Sequence, residues 1–293
     1  MINAALILEG GALRNVFTSG VLDVFMEKGM EFSYVIGTSS GSFVGANYIA
    51  KRVYHSARSN LMHSNNPNYY GLKQFLLTGC VFNFDYLFDI NNPIDGLYPY
   101  DEDELKNTRQ RFLVSATNCE TGEAVYFEKR DFESMKHALR ASGSMQLLCK
   151  PVLIDGMTCL DGGISDPICV KKAFDDGNEK AVLVLTRDLE FIPDELSPVI
   201  RFLYNRVYKK YPRLITAMEN AIENYCNLIE EIKVMERENK VFVIRPRREI
   251  TIKRLEKDVK ALADLYFRGR EDALSYLPKM LKYLDVSRVE ISN

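Results

Sequence analysis

A strand, a glycine turn and a helix follow one another twice within the first 52 residues. Ala4 to Leu8 is an apolar run that stops at Glu9-Gly10-Gly11. Asn15 to Lys28 then carries Val16, Val21, Leu22 and Phe25 at helical spacing, with Gly29 as a stop signal. Tyr34-Val35-Ile36 is a second short strand, and Ser42 to Arg52 a second helix. Such alternation predicts an α/β fold on a mostly parallel sheet.

The remaining chain extends that pattern. Ser59 to Tyr100 is polar, Asn-rich and aromatic-rich, and reads as loops and short helices forming a cap. Arg111 to Thr117 reads as a strand paired with Glu123 to Glu128 through a turn at Thr121-Gly122. Phe132 to Ala141 reads as a helix, and Val152 to Ile154 with Thr158 to Leu160 as short strands. Ala181 to Leu185 is apolar throughout, as a strand covered on both faces should be. From Glu195 to Asn239 the pattern is helical, interrupted at Pro198 and Pro212. Val241 to Ile244 is one more strand; a helix from Arg254 to Phe267 is expected to end near Gly269, and another to run from Asp272 to Leu284. The late strand argues for a core over 1–190 and a helix-rich region over 191–293 that returns to the same sheet, with no linker between them.

Composition serves mainly to exclude. With 38 Lys plus Arg against 40 Asp plus Glu, the net charge of −2 argues against a nucleic-acid partner. The N-terminus lacks the basic start and long apolar run of a signal peptide, and no segment approaches the roughly 18 apolar residues of a spanning helix. The six cysteines show no C-x-x-C pair, so buried free thiols in a reducing, cytoplasmic setting are expected. The three histidines are scattered, and no metal site or cofactor is expected.

Gly37-Thr38-Ser39-Ser40-Gly41 fits G-x-S-x-G between a strand and a helix. A nucleophile elbow holds its serine in a strained turn there, with the helix N-terminus beside it. Gly10-Gly11-Ala12-Leu13-Arg14 suits an oxyanion hole, a phosphate-binding turn or a plain tight connection. A conventional triad needs a histidine after the serine and the acid, yet His137 is the last one, and His55 and His63 lie in or just after the second helix. Asp161, in Leu160-Asp161-Gly162-Gly163, is either a turn aspartate or a base acting directly on the serine. In the second case it needs a dry setting, since an ordinary aspartate is too acidic.

Taken in order, Glu9-Gly10-Gly11-Ala12-Leu13-Arg14, Gly37-Thr38-Ser39-Ser40-Gly41 and Asp161-Gly162-Gly163 resemble the patatin-like phospholipase family. Arg140-Ala141-Ser142-Gly143-Ser144 through Asp155-Gly156, and Asp166-Pro167 where the family usually has Asn-Pro, extend the resemblance across nearly the whole chain. It implies a three-layer α/β/α fold and a Ser–Asp dyad, with Ser39 as nucleophile and Asp161 as base. Backbone N–H groups of Gly10, Gly11, Ala12 and Ser40 would hold the oxyanion, with Arg14, Gly37, Gly41, Gly162 and Gly163 completing the motifs. The implied function is hydrolysis of lipid acyl esters, of the phospholipase A or lysophospholipase kind, through an acyl-enzyme. The alternative is a catalytically weak lipid-binding or regulatory protein with the same pocket. Arg201 to Arg213 mixes basic and aromatic side chains without an acid. It is either a transient membrane contact or a surface helix whose Phe202, Leu203 and Val207 pack on the core.

Overall fold

The computed structural model describes residues 1–88 and 107–286; the end of the expected cap, to Tyr100, lies outside them. Strand β1 (Ile2–Leu8) leads through a short 3-10 turn (Ala12–Asn15) into helix α1 (Val16–Glu27), and β2 (Phe32–Thr38) leads into α2 (Ser40–Ile49). Helices α3 (His55–His63), α4 (Leu72–Thr78) and α5 (Phe84–Phe88) occupy the polar, aromatic segment. Then come β3 (Arg111–Asn118), β4 (Ala124–Glu128), α6 (Phe132–Ser142), β5 (Val152–Ile154), β6 (Met157–Asp161), α7 (Val170–Asp175) and β7 (Ala181–Val184). The chain ends in α8 (Pro198–Val207), α9 (Pro212–Arg237), β8 (Val241–Ile244) and α10 (Val259–Leu284). Pro198 and Pro212 open their helices at the first turn, where a missing N–H costs nothing.

The described residues form an eight-stranded sheet in the order β5-β6-β3-β2-β1-β7-β8, with β4 paired to β3. Pairings among β3, β2, β1, β7 and β8 are parallel, and those of β4, β5 and β6 antiparallel. Alternation along β1 sorts its side chains. Leu6 and Leu8 join the core under α1, α2, α6 and α10, while Ala5 and Ile7 join the core under α7 and α9. Helices thus cover both faces, as in a three-layer α/β/α fold. The strand order reverses beside β1, with β2 and β3 on one side and β7 and β8 on the other. In open parallel sheets that reversal leaves a crevice beyond the carboxyl ends of the strands.

Three expectations need correction. The C-terminal helices are one 26-residue helix, and Gly269 is inside it. A Cβ on Gly269 would lie 2.1 Å from the Phe17 carbonyl oxygen, and one on Gly20 would lie 2.3 Å from that of Tyr266. The glycine therefore permits a close crossing of α1 and α10 rather than ending a helix. Cys80 and Cys149 are joined in a disulfide, and Cys226 is exposed, so only Cys119, Cys159 and Cys169 are buried free thiols. An isolated antiparallel bridge sets Cys80 opposite Cys149 across a separation of 69 residues, which spacing could not reveal. Finally, Phe202 and Val207 are exposed and Leu203 is half-buried; Tyr204, Tyr208 and Tyr211 face the core instead.

Candidate active site

The site stands at the carboxyl ends of β1, β2 and β7. The turn out of β2 gives Ser39 a φ of 53° and a ψ of −131°. A non-glycine residue in such a conformation stores roughly 1–3 kcal/mol, and the strain projects the Ser39 hydroxyl away from the chain. Its neighbours hold the turn. The Ser39 N–H donates to Ser142 Oγ at 2.8 Å, and Ser42 Oγ donates to the Ser39 carbonyl at 2.6 Å. Gly10 lies so close that a Cβ there would meet Ser39 Cβ at 2.9 Å.

Asp161 ends β6. Ser39 Oγ donates to Asp161 Oδ2 at 2.7 Å, and the Gly163 N–H donates to Asp161 Oδ1 at 2.8 Å. The Asp161 N–H donates to the Ser144 carbonyl at 2.9 Å. Ser142 and Ser144, in the segment leaving α6, thus support the serine and the aspartate respectively. Both members of the pair are buried, Ser39 at 8% and Asp161 at 6% exposure. Burial pushes the Asp161 carboxyl up to about 6, against the opposing hydrogen bonds from Ser39 and Gly163 and the nearby charge of Arg254. None of the three histidines stands between them. His55 lines the apolar side of the site, and burial pushes its pKa down to about 4.

The glycine turn after β1 faces the serine. Ala12 takes a left-handed φ of 51°. The Gly11 N–H donates to Ser40 Oγ at 3.1 Å, and Asn15 Nδ2 donates to the same oxygen at 2.6 Å. Arg14 reaches back from the 3-10 turn, its Nε donating to the Ile252 carbonyl at 2.9 Å. Gly37 lies within β2, Gly41 in the first turn of α2, and Gly162 and Gly163 in the 3-10 turn after Asp161. Glu9 is buried and accepts from the Thr186 N–H at 2.5 Å and Tyr225 OH at 2.9 Å, tying β1 to β7 and α9. Asp166 accepts from Tyr126 OH at 2.6 Å.

Ser39 and Ala12 separate two cavities. One is apolar, lined among others by Phe43, Val44, Phe82, Phe84 and Met145. The other, of about 320 Å³, is lined by Glu9, Arg14, Asp161, Arg187, Tyr225 and Arg254 with the glycine turn. Ser142, Asn15, Arg187 and Arg254 did not stand out in the sequence as site residues. Ser142 lay inside a motif-like stretch, but the two arginines carry no local signal. Among the described residues no group of three or more His, Cys, Asp or Glu side chains is placed to hold a metal ion, and no helix is long and apolar enough to cross a membrane.

The patatin-like phospholipase family model matches residues 6–174. A second model, a domain of unknown function (DUF6363), matches residues 211–285. The uncharacterized protein YjjU of Escherichia coli (strain K12) is 24% identical over 270 residues, covering 91% of this chain and 74% of that protein. Among solved structures, VipD from Legionella pneumophila matches with a TM-score of 0.48 and 13% identity, over 95% of this chain and 67% of that one. With the family model spanning the glycine turn, the elbow and the aspartate turn, the chain belongs to the patatin-like phospholipase family, and that membership implies a lipid acyl hydrolase.

Proposed function

We propose that the protein hydrolyses lipid acyl esters through a Ser39–Asp161 dyad and an acyl-enzyme. The observation that carries this reading is the 2.7 Å bond from a strained, buried serine to a buried aspartate. A carboxyl near 6 is a far better base at neutral pH than an ordinary aspartate, yet is still ionised there. Asp161 takes the Ser39 proton as Oγ attacks the ester carbonyl. The oxyanion is held by N–H groups of the Gly10–Ala12 turn and of Ser40, the Ser40 hydroxyl giving up the Gly11 amide as it forms, and each such donor is worth roughly 3–4 kcal/mol of barrier. Collapse expels the alcohol, protonated by Asp161. Asp161 then deprotonates a water that attacks the acyl-enzyme, and returns that proton to Ser39 Oγ as the fatty acid leaves.

A second reading, a binding protein without useful turnover, draws on the Ser40 hydroxyl that occupies the Gly11 amide. A fluorophosphonate probe separates the two. An acyl hydrolase is labelled at Ser39, and labelling is lost in Ser39→Ala. A folded protein that takes no label sinks the hydrolase.

The lipid surface is met, in this reading, through two exposed patches. Helix α8 and the turn after it present Val199, Phe202 and Val207 beside Arg206, Lys209 and Lys210. Helix α4 presents Leu72, Leu76 and Leu77. The patches flank one loop: Tyr208 OH accepts from the Leu147 N–H, and the Lys150 N–H donates to the Gly79 carbonyl. Met145 and Gln146 of that loop line the polar cavity. Apolar side chains beside cations suit a transient contact with an anionic bilayer.

A further inference from the structure

The polar cavity beside Ser39 gathers three arginines from distant parts of the chain. Arg14 follows β1, Arg187 follows β7, and Arg254 precedes α10 at the rim. Arg187 stacks on Phe191, its guanidinium carbon 4.0 Å from the ring centre. Arg14 spends Nε on the Ile252 carbonyl, while its Nη1 is buried without any partner. The carboxylates in the wall are already engaged. Glu9 takes donors from Thr186 and Tyr225, and Asp161 takes them from Ser39 and Gly163. Burial, then the charges of Arg187 and Arg254, push the Arg14 guanidinium down to about 10. Converging like charges, only partly offset by the Glu9 carboxylate in the wall, are costly unless an anion joins them, and a guanidinium fork matches phosphate oxygens.

On the other side of Ser39 the wall is aromatic and aliphatic. An ester bound across the serine is therefore sorted by polarity, its acyl chain toward Phe43 and Phe84, its alcohol toward the arginines. We propose that Arg187 and Arg254, with Arg14, form a subsite for the phosphate of the leaving alcohol. The protein then selects acyl esters with a net anionic, phosphate-bearing alcohol over neutral acylglycerols and over zwitterionic headgroups. A choline headgroup would bring its own cation against the guanidinium groups; a phosphomonoester or a glycerol phosphodiester would not. The assignment rests on the acyl-hydrolase reading of Ser39.

The test has two arms, the first independent of turnover. Binding of glycerol 3-phosphate, glycerol and inorganic phosphate to Ser39→Ala protein is measured by titration calorimetry, with and without Arg187→Gln and Arg254→Gln. The subsite predicts binding of glycerol 3-phosphate, none of glycerol, and about tenfold weaker binding for each arginine lost. In the second arm, kcat/KM is compared for lysophosphatidic acid, lysophosphatidylcholine and monoacylglycerol of one chain length, diluted in neutral detergent micelles. The anionic ester should lead by at least about tenfold, and the double variant should erase that lead mainly through KM. Equal rates on all three esters, or a lead that survives the double variant, overturns the proposal. So does inorganic phosphate binding as tightly as glycerol 3-phosphate, which would mark a free-phosphate site. If no ester is cleaved the hydrolase reading fails, while arginine-dependent binding of glycerol 3-phosphate would still uphold the anion subsite, and its absence would overturn that too.

Discussion

The apolar wall beside Ser39 comes mostly from one stretch of chain, and the polar wall does not. Phe43, Val44, Tyr69, Phe82, Phe84, Leu87 and Phe88 follow the elbow within fifty residues and form the first wall together with Gly143 and Met145. Glu9, Asp161, Arg187, Tyr225 and Arg254 are brought to the second by β1, β6, β7, α9 and the loop before α10. The apolar wall can exist once a cap folds over α2. The polar wall requires the sheet to be complete, since the strand reversal beside β1 sets Glu9 and Thr186 in contact. The two walls share only Ala12, Ser39 and Met145, so under the proposed function damage at the centre should abolish what both serve, and damage at one wall should change selectivity.

The largest effects belong at the shared centre. Ser39→Ala and Asp161→Asn are each expected to lower kcat on a neutral nitrophenyl ester by about 10³-fold or more, and the double variant no further, because the two act as a unit. His55→Gln should stay within a few-fold, since the serine meets the aspartate directly. Steady-state rates on folded variants check all four. A single centre variant near wild-type turnover would remove the reason for treating the walls as halves of one site.

The next effect is in pH. Asp161 must be ionised to take the proton, so kcat/KM should fall tenfold per unit below a midpoint of about 6. The stability consequence has the opposite sign. The folded pKa is raised above the ordinary 3.8, so this contribution is fully present below 3.8 and lost as pH rises through about 6. At pH 8, Asp161→Asn should therefore be more stable than the parent, by up to about 3 kcal/mol. Denaturant melts at pH 4 and pH 8 measure it. An aspartate variant no more stable at pH 8 than at pH 4 relative to wild type would mean the carboxylate is not held against its own solvation.

This division also explains what the sequence could disclose. The elbow was legible because strand, G-x-S-x-G and helix are contiguous, and the central strands because Ala4 to Leu8 and Ala181 to Val184 are covered on both faces. Asp161 was legible only through its order after the other motifs. Gly269 was misread because a helix-ending glycine and one beneath a crossing helix look alike in one dimension; only the Phe17 carbonyl separates them. Arg187 and Arg254 are separated from Arg14 by most of the chain, and no local pattern joins them. The positive φ of Ala12 is likewise set by the turn as packed, not by residue type.

A smaller effect should follow from narrowing the apolar wall alone. Gly143 has an ordinary φ of −87°, but a Cβ there would lie 3.0 Å from Phe43 Cε2 and 3.2 Å from Phe84 Cε1. Those rings must shift by a few tenths of an ångström toward the cavity. Gly143→Ala is expected to lower kcat/KM for long-chain esters by roughly three- to tenfold, and for acetyl esters by less than about twofold. A uniform loss across chain lengths would place the acyl chain elsewhere.

The smallest effect concerns the surface around both mouths. Phe202, at 67% exposure, and Val207, at 55%, lie among cations on α8 and the turn after it, whereas α4 offers Leu72, Leu76 and Leu77 with Lys73 alone among them. Each cation close to an anionic bilayer is worth about 1 kcal/mol. Salt screens that attraction over roughly 10 Å at 0.1 M. Co-sedimentation with phosphatidylglycerol vesicles should therefore weaken in high salt, and should fall by one to two orders of magnitude in Arg206→Gln/Lys209→Gln/Lys210→Gln. Hydrolysis of a soluble ester by that variant should hardly change, because none of the three lines either cavity. Leu76→Ser and Leu77→Ser on α4 should instead weaken binding to neutral vesicles as much as to anionic ones, since they remove apolar contact and no charge. If the basic triple variant sediments like the parent at low salt while the leucine pair does not, α4 alone meets the lipid and the basic helix is ordinary surface. If neither change matters, substrate reaches Ser39 as single molecules, and the selectivity between the walls is decided wholly inside the cleft.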